Sequence, residues 1–465
     1  MKGAQKMSVK HSAGEAALGN EKMGRLIFRM SLPTVTAQVV NLLYSMVDRI
    51  YIGHIPAVGS TALTGIGLTS PIIILISAFA SFVGGGGAPL SSIALGQGDR
   101  KQAEKILSNG VTMLGILSVF LMILFYGIKE PVLYFIGASK VTFPYADDYL
   151  SIYLLGTLMV LLTVGLTPFL TAQGRSGSAM IAVLLGAAVN IVLDPVLIFL
   201  FDLGVKGAAL ATIFAQSCSA CFVVSCLLNK KSSLRIRKKY LRPEEKILLK
   251  TAKLGVSPFV MSATESVIGL VMNNGLQQYG GDLYVGGLTV MQSVMQVVGV
   301  PVSGFQQGVA PILSYNYGAG NKKRVKEAFR YLFFIMFTYS FLLTLFSVLF
   351  PEFCASIFTD DAALIALVGR CMPIFLSGML IFGIQRACQS AFVALGQAGI
   401  SLFIALLRKV ILLVPLALIL PRFLGAEGIY LSEAIADATA ATICGVIFLF
   451  RFRKILEKSP DRMHQ

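Results

Sequence analysis

Asn190 Ile191 Val192 Leu193 Asp194 Pro195 sets an amide, a carboxylate and a proline inside an apolar run that carries no other charge. A carboxylate at the centre of a bilayer costs on the order of 2.5 to 3.5 kcal/mol, so an acid retained there is a functional candidate. Asn190 stands four residues before Asp194, on the same face of a helix. Pro195 donates no backbone N–H and its ring crowds the carbonyl of residue 191, so the helix is expected to kink and free polar backbone nearby. An acid, an amide and a broken backbone suit reversible binding of a proton or a small cation. At about 1.5 Å per residue, Asp194, Asp48 and Thr212 lie roughly 8 to 10 Å below the outer ends of their spans, at one level. Two carboxylates at that level favour holding one proton between them, ready for release. Two plainer readings stay open: Asp48 paired with Arg49 or water, and Thr212 as a helix-packing hydroxyl.

The elements that must position these residues are membrane helices. The chain has 465 residues, 55% of them hydrophobic and only 13% charged, with a mean hydropathy of +0.77. Soluble domains carry about 25% charge. Twelve apolar runs are each long enough to cross about 30 Å of hydrocarbon: about 26–50, 60–90, 104–127, 147–171, 178–201, 206–228, 247–274, 284–315, 328–350, 366–394, 399–421 and 427–450. No alternating ten-residue segments of a β-barrel occur.

The chain also repeats itself. Leu95 Gly96 Gln97 Gly98 Asp99 Arg100 Lys101 recurs as Tyr317 Gly318 Ala319 Gly320 Asn321 Lys322 Lys323, 222 residues later. Pro33 and Pro258, Gly174 and Gly396, Pro195 and Pro415, and Gly207 and Gly428 keep nearly the same offset. A parallel repeat predicts two like bundles about an axis along the membrane normal, with a substrate path between them. The expected fold is all-α and integral to the membrane, twelve transmembrane helices in two pseudo-symmetric six-helix lobes. Residues 1–24 form an amino-terminal tail, 25–229 the N-lobe, 230–246 a linker, 247–452 the C-lobe and 453–465 a carboxy-terminal tail. Pro243 Glu244 Glu245 marks the start of the helix after the linker.

The net charge of +16 would suit nucleic acid, but its placement argues otherwise. With both ends inside, 30 of the 39 Lys and Arg fall in inner loops and tails, the bias of cytoplasmic loops. Both termini are therefore expected in the cytoplasm, and no nucleic-acid partner is expected. Arg235 Ile236 Arg237 Lys238 Lys239 can touch anionic lipid, though its main role is topological. Residues 1–24 lack the apolar middle of a signal peptide, so no cleavage is expected. The chain has no Walker motif, no HExxH and no GxSxG; His11, His54 and His464 are far apart. The Gly96 and Gly318 loops lack the strand context of a dinucleotide site. Cys218 and Cys221 have no second pair or nearby His and are read as packing residues. No enzyme, cofactor or ATP hydrolysis is expected, and an ion gradient is the energy source left.

With these residues in hand, the chain resembles the multidrug and toxic compound extrusion (MATE) transporters, most closely their bacterial MepA-like branch. The resemblance runs from Gly24 to Lys454 and is most specific at Met46 Val47 Asp48 Arg49 Ile50 Tyr51 Ile52 Gly53, at Gly96 Gln97 Gly98 Asp99 with its second copy, and at Asn190 to Pro195. It implies a multidrug efflux antiporter of the inner membrane, exporting lipophilic organic cations in exchange for H⁺ or Na⁺ by alternating access. It implies an amino-lobe ion site at Asp48, Asn190, Asp194 and Thr212, able to hold Na⁺ if that is the coupling ion. Relatives with a carboxy-lobe site have acids in spans seven and ten; here Glu265 stands in span seven, but span ten offers Gln385 and Arg386.

Glu265 is expected either to face the cavity and attract a cationic drug or to pair with Arg386. Glu433 and Asp437, four apart on one face, are read as serving lobe stability. Gln38, Asn41, Tyr44, Met261, Met291, Gln292 and Met295, with Glu265, are the candidate substrate residues, Met offering soft, polarizable surface to varied ligands. A monomer in contact with membrane lipid is expected. Two rivals remain: a flippase for lipid-linked saccharides, served by Arg370, Arg386, Arg408 and Lys409, and a scaffold or channel that transports nothing.

Overall fold

A computed structural model describes residues 13–56, 58–230 and 232–459. The first twelve residues of the amino-terminal tail, with His11, and residues 460–465 of the other, with His464, lie outside them. Every element among the described residues is a helix. A short α1 (Ala13–Asn20) precedes α2 (Met23–Gly53), α3 (Gly59–Gly96), α4 (Arg100–Ile136), α5 (Phe143–Leu155), α6 (Thr157–Ala172), α7 (Ser176–Pro195) and α8 (Gly204–Leu228). After residues 229–244 come α9 (Glu245–Gly318), α10 (Lys322–Leu349), α11 (Pro351–Ser356), α12 (Ala362–Leu376), α13 (Met379–Ala394), α14 (Ala398–Leu406), α15 (Val414–Ile419), α16 (Pro421–Leu424) and α17 (Ala426–Glu457).

Twelve crossings emerge once the breaks are read. The 74-residue α9 is two spans joined at Gly281 (φ 69°, ψ −168°), a backbone that glycine tolerates without steric cost. The fourth span is α5 and α6, bent by 61°, and the tenth is α12 and α13, bent by 44°. These bends extend the repeat to positions the sequence had not suggested: Gly156 and Gly378, 222 apart, stand at them. Large apolar side chains face outward, including Phe120, Phe135, Leu200, Phe423, Leu449 and Phe450. Such a surface is stable only against lipid. The chain is a multi-pass membrane protein.

Two hydrophobic cores hold the molecule. The larger fills the N-lobe and continues into α9, α10, α13 and α17 at the end that carries α1 and the last turn of α17, here the tail face. The smaller lies inside the C-lobe, towards the opposite or far face. Among the described residues the close contacts between the lobes lie in the tail-side halves of their inner helices. There the repeated motif meets itself: a methyl group on Gly96 would strike the carbonyl oxygen of Tyr315, and one on Gly318 that of Ile93. Gly304 lies as close to Thr34 and Val35, and Gly308 to Ser31. Each motif then turns through a left-handed glycine, Gly98 (φ 78°) or Gly320 (φ 68°), and caps the next helix. Asp99 accepts from the amide of Gln102 at 2.8 Å and Asn321 from that of Arg324 at 3.4 Å. Two turns beyond Pro258, on the same face of α9 that packs against Gly85, the side chain of Glu265 is exposed, so towards the far face the lobes part and leave a cleft.

Two strands of the tail face depart from the sequence reading. Part of the stretch read as a tail is α1, which lies across the seam with Leu18 fully buried. Its Glu15 pairs with Arg100 of the N-lobe at 2.7 Å, while Asn316 and Arg324 of the C-lobe donate to the carbonyl of Leu18 at 3.0 and 3.3 Å. The linker runs beneath the N-lobe as part of it. Arg237 pairs with Glu104 at 2.9 Å, Asn109 and Thr112 donate to the carbonyls of Tyr240 and Leu241, and Gln173 accepts from Ser232 at 2.6 Å.

Candidate functional site

Span five forms because its apolar run holds no breaker before Pro195, and it changes geometry there: Val196–Leu200 continues as π-helix. That local unwinding sets the carboxyl end of α7 against α2 and α8. Asp194 is fully buried and Asn190 nearly so. The Asn190 amide donates to Asp194 Oδ1 at 3.1 Å, the i, i+4 pair expected from spacing. Asp48, from the far-side end of α2, places its carboxyl beside that of Asp194. Two carboxyl groups placed so close favour holding one proton between them. Asp48 Oδ1, Asp194 Oδ2 and Asn190 Oδ1 are buried without a hydrogen-bond partner among the described residues. Buried acceptors are normally satisfied, so three orphaned oxygens beside one another fit a proton or a small hard cation.

Thr212 joins the site indirectly. Its side chain lies near the hydroxyl of Tyr149 on α5, and Tyr149 stacks at 6.2 Å on Tyr153. Tyr44 stands beside both acids. Sequence reasoning missed Tyr149 and Tyr153. The signal was available, since two tyrosines four apart in an apolar span put two hydroxyls on one face.

Below the acids lies a cavity of about 440 Å³, framed by the N-lobe and closed by α9 and α13. Gln38, Asn41 and Tyr44 line it, together with Asn190, Thr212 and Gln307, and no charged residue does. The other candidate substrate residues lie elsewhere, in the C-lobe. Met291 is fully buried in the C-lobe core and offers no surface to a ligand in this state. Met295 is partly buried against that core, Gln292 is exposed, and the sulfur of Met261 accepts from Gln389 at 3.2 Å.

The C-lobe answers the N-lobe with charges that cancel. Arg408 and Lys409 point inward from a π-helical stretch, Leu407–Leu413. Arg408 holds both Asp437 and, at 3.1 Å, Glu433. Glu265 pairs with Lys409 at 2.7 Å and not, as the sequence allowed, with Arg386, which donates to Ser303 at 2.7 Å. Arg370, counted within a span, lies on the far face against Glu427 at 3.2 Å. No ion pair among the described residues reaches Asp48 or Asp194, so the N-lobe alone keeps bare acid.

This fold and its repeat are those of a known group. The MatE family model matches residues 33–196 and 258–419, one stretch in each lobe. The chain belongs to the MatE family. Among its relatives is the multidrug export protein MepA of Staphylococcus haemolyticus, 25% identical over 427 residues, which span 92% of each chain. A MATE crystal structure in the bent conformation superposes with a TM-score of 0.88 at 23% identity, covering 97% of this chain and all of that one. A multidrug resistance MATE transporter in its outward-facing conformation gives 0.88 at 22% identity, covering 96% and 99%. As a MatE protein the chain is a membrane transporter and not an enzyme, and these likenesses establish its two-lobed fold.

Proposed function

We propose that this MatE protein exports lipophilic organic cations across the inner membrane, both termini cytoplasmic, in exchange for H⁺ or Na⁺. The observation that carries the reading is the asymmetry of charge between like lobes. The C-lobe neutralises its acids with its own cations, whereas no ion pair among the described residues reaches the buried Asp194 or the partly buried Asp48 beside it. Bare acid in a bilayer is tolerable when a mobile cation visits it. Asp48, Asn190 and Asp194 would hold that ion, with Thr212 acting through Tyr149. Gln38, Asn41 and Tyr44 on the cavity wall, and Glu265 in the cleft, would receive the organic cation. With the packed tail face in the cytoplasm, the cleft would open to the outside, an outward-open arrangement. Loading or emptying the acids would alter how α2, α5, α7 and α8 pack, and coupling follows if ion and cargo favour opposite states.

The flippase reading loses its support, because Arg408 and Lys409 are spent on Glu433, Asp437 and Glu265 and Arg370 on Glu427, leaving few cations for a pyrophosphate. Export of a fluorescent cation from vesicles under an imposed pH or Na⁺ gradient tests the proposal. Asp194→Asn is expected to lower gradient-driven export at least tenfold while leaving the protein folded. Undiminished export by that variant would refute the mechanism.

A further inference from the structure

The first arm of α9 turns one stripe towards the N-lobe. Thr251 meets Gly86, Gly255 meets Phe82 and Pro258 meets Gly85, each three or four residues from the last. Two turns beyond Pro258, where the cleft has opened, the stripe reaches Glu265. The two halves of its ion pair differ in surroundings: the Glu265 side chain is 58% exposed and that of Lys409 only 4%. The acid faces the cleft and the ammonium sits behind it. Lys409 also lies within electrostatic reach of Glu433, one of whose oxygens is held by Arg408 while the other, Oε2, is buried without a partner. One ammonium thus stands between an acid open to the cleft and an acid with a vacant acceptor inside the lobe.

We infer that Lys409 is a tethered cation occupying Glu265, which an incoming lipophilic monocation displaces, and that Glu433 receives the ammonium when it leaves. The inference rests on the reading that the cleft admits organic cations. The displaced lysine stays paired, so the exchange strands no bare charge in the membrane. It also selects its ligand. A tethered ammonium competes at high effective concentration, so a diffuse monocation with an apolar body, which sheds water easily and can lie on Met261 one turn away, competes better than a small hydrated amine. The exchange would move one positive charge from span seven towards span twelve whenever cargo arrives.

Equilibrium binding of radiolabelled tetraphenylphosphonium to the full-length protein in lipid nanodiscs tests this. Lys409→Met is expected to bind on the order of tenfold tighter, and Lys409→Met with Glu265→Gln to lose that gain. Glu433→Gln should weaken binding when Lys409 is present and change nothing in the Lys409→Met background, a dependence that plain packing damage would not produce. Should Lys409→Met fail to fold, Lys409→Arg decides, because a guanidinium grips a carboxylate with two donors and should weaken binding severalfold. Unchanged or weaker binding by folded Lys409→Met, or unchanged binding by Lys409→Arg, would overturn the inference. The transport proposal fails separately: it falls if wild-type protein neither binds nor exports the probe, and stands if Asp194→Asn stops its export whatever Lys409 does.

Discussion

The seam between Gly96 and Gly318 offers a sharp test of how the lobes close. Gly96→Ala places a methyl against the carbonyl of Tyr315, and Gly318→Ala against that of Ile93. Both obstacles are backbone, so no side chain can swing aside. Carbon and carbonyl oxygen need about 3.3 Å, and the lobes must part to provide it. Overpacking of this kind costs about 1 to 3 kcal/mol, which at 1.4 kcal/mol per tenfold shifts the balance away from the sealed tail face by roughly 5- to 150-fold. The two substitutions oppose one movement, so once one has parted the lobes the second meets less resistance. The double variant should therefore fall short of the sum of the singles by about 0.5 kcal/mol or more, as neighbouring sites do. Spin labels at Lys101→Cys and Lys323→Cys, exposed positions flanking the motif, in a background without the seven native cysteines, would report the separation by pulsed electron resonance. Each single variant should populate a longer distance and lose export. An unchanged distance distribution with full export in the double variant would refute the seam as the closing surface.

Three further outcomes follow from the same contacts. Arg408→Met leaves Glu433 and Asp437 buried without their cation, and should cost about 3 to 5 kcal/mol, read as a lower melting temperature that Arg408→Met with Glu433→Gln and Asp437→Asn largely restores. Glu15→Ala removes a partner of Arg100 from α1 and should raise hydrogen exchange across residues 13–20 by roughly 10- to 150-fold, the scale of a buried charged hydrogen bond of about 1.5 to 3 kcal/mol, with α7 and α8 unaffected. Tyr149→Phe deletes a hydroxyl that stands near Thr212 and Asp48; export should fall severalfold while stability changes by about 1 kcal/mol, and full activity would remove Tyr149 from the ion site.

The fold was legible because it is written in long apolar runs and in a repeat, both local or periodic signals. Asn190 with Asp194 was legible for the same reason, four residues apart on one helix. The partners that cross between helices were not. Nothing in the spacing of Glu265 distinguishes Lys409 from Arg386, and the choice comes from π-helical turns before Pro415, where the N-lobe has its turns after Pro195. That small difference turns Arg408 and Lys409 inward and makes the lobes chemically unequal. Glu433 and Asp437 were rightly paired with one another by spacing, but their common cation lies 25 residues or more away. The helix α1 was hidden because it is short, only eight residues of small and apolar side chains with one acid, and its burial depends on a seam that exists only when both lobes are folded.

The connection between the lobes changes what counts as half of this molecule. Residues 232–244 are bound along their length to α4, α6 and α8, ending where the amide of Glu244 donates to Asn109 at 2.7 Å and its carboxylate meets Lys105. The polypeptide therefore has almost no slack between its halves: the chain's own connection to the C-lobe begins at a single point, the first turn of α9. Rocking of one lobe against the other would swing about that point as a gate does on its lowest hinge, with the travel greatest at the far face, where cargo would leave.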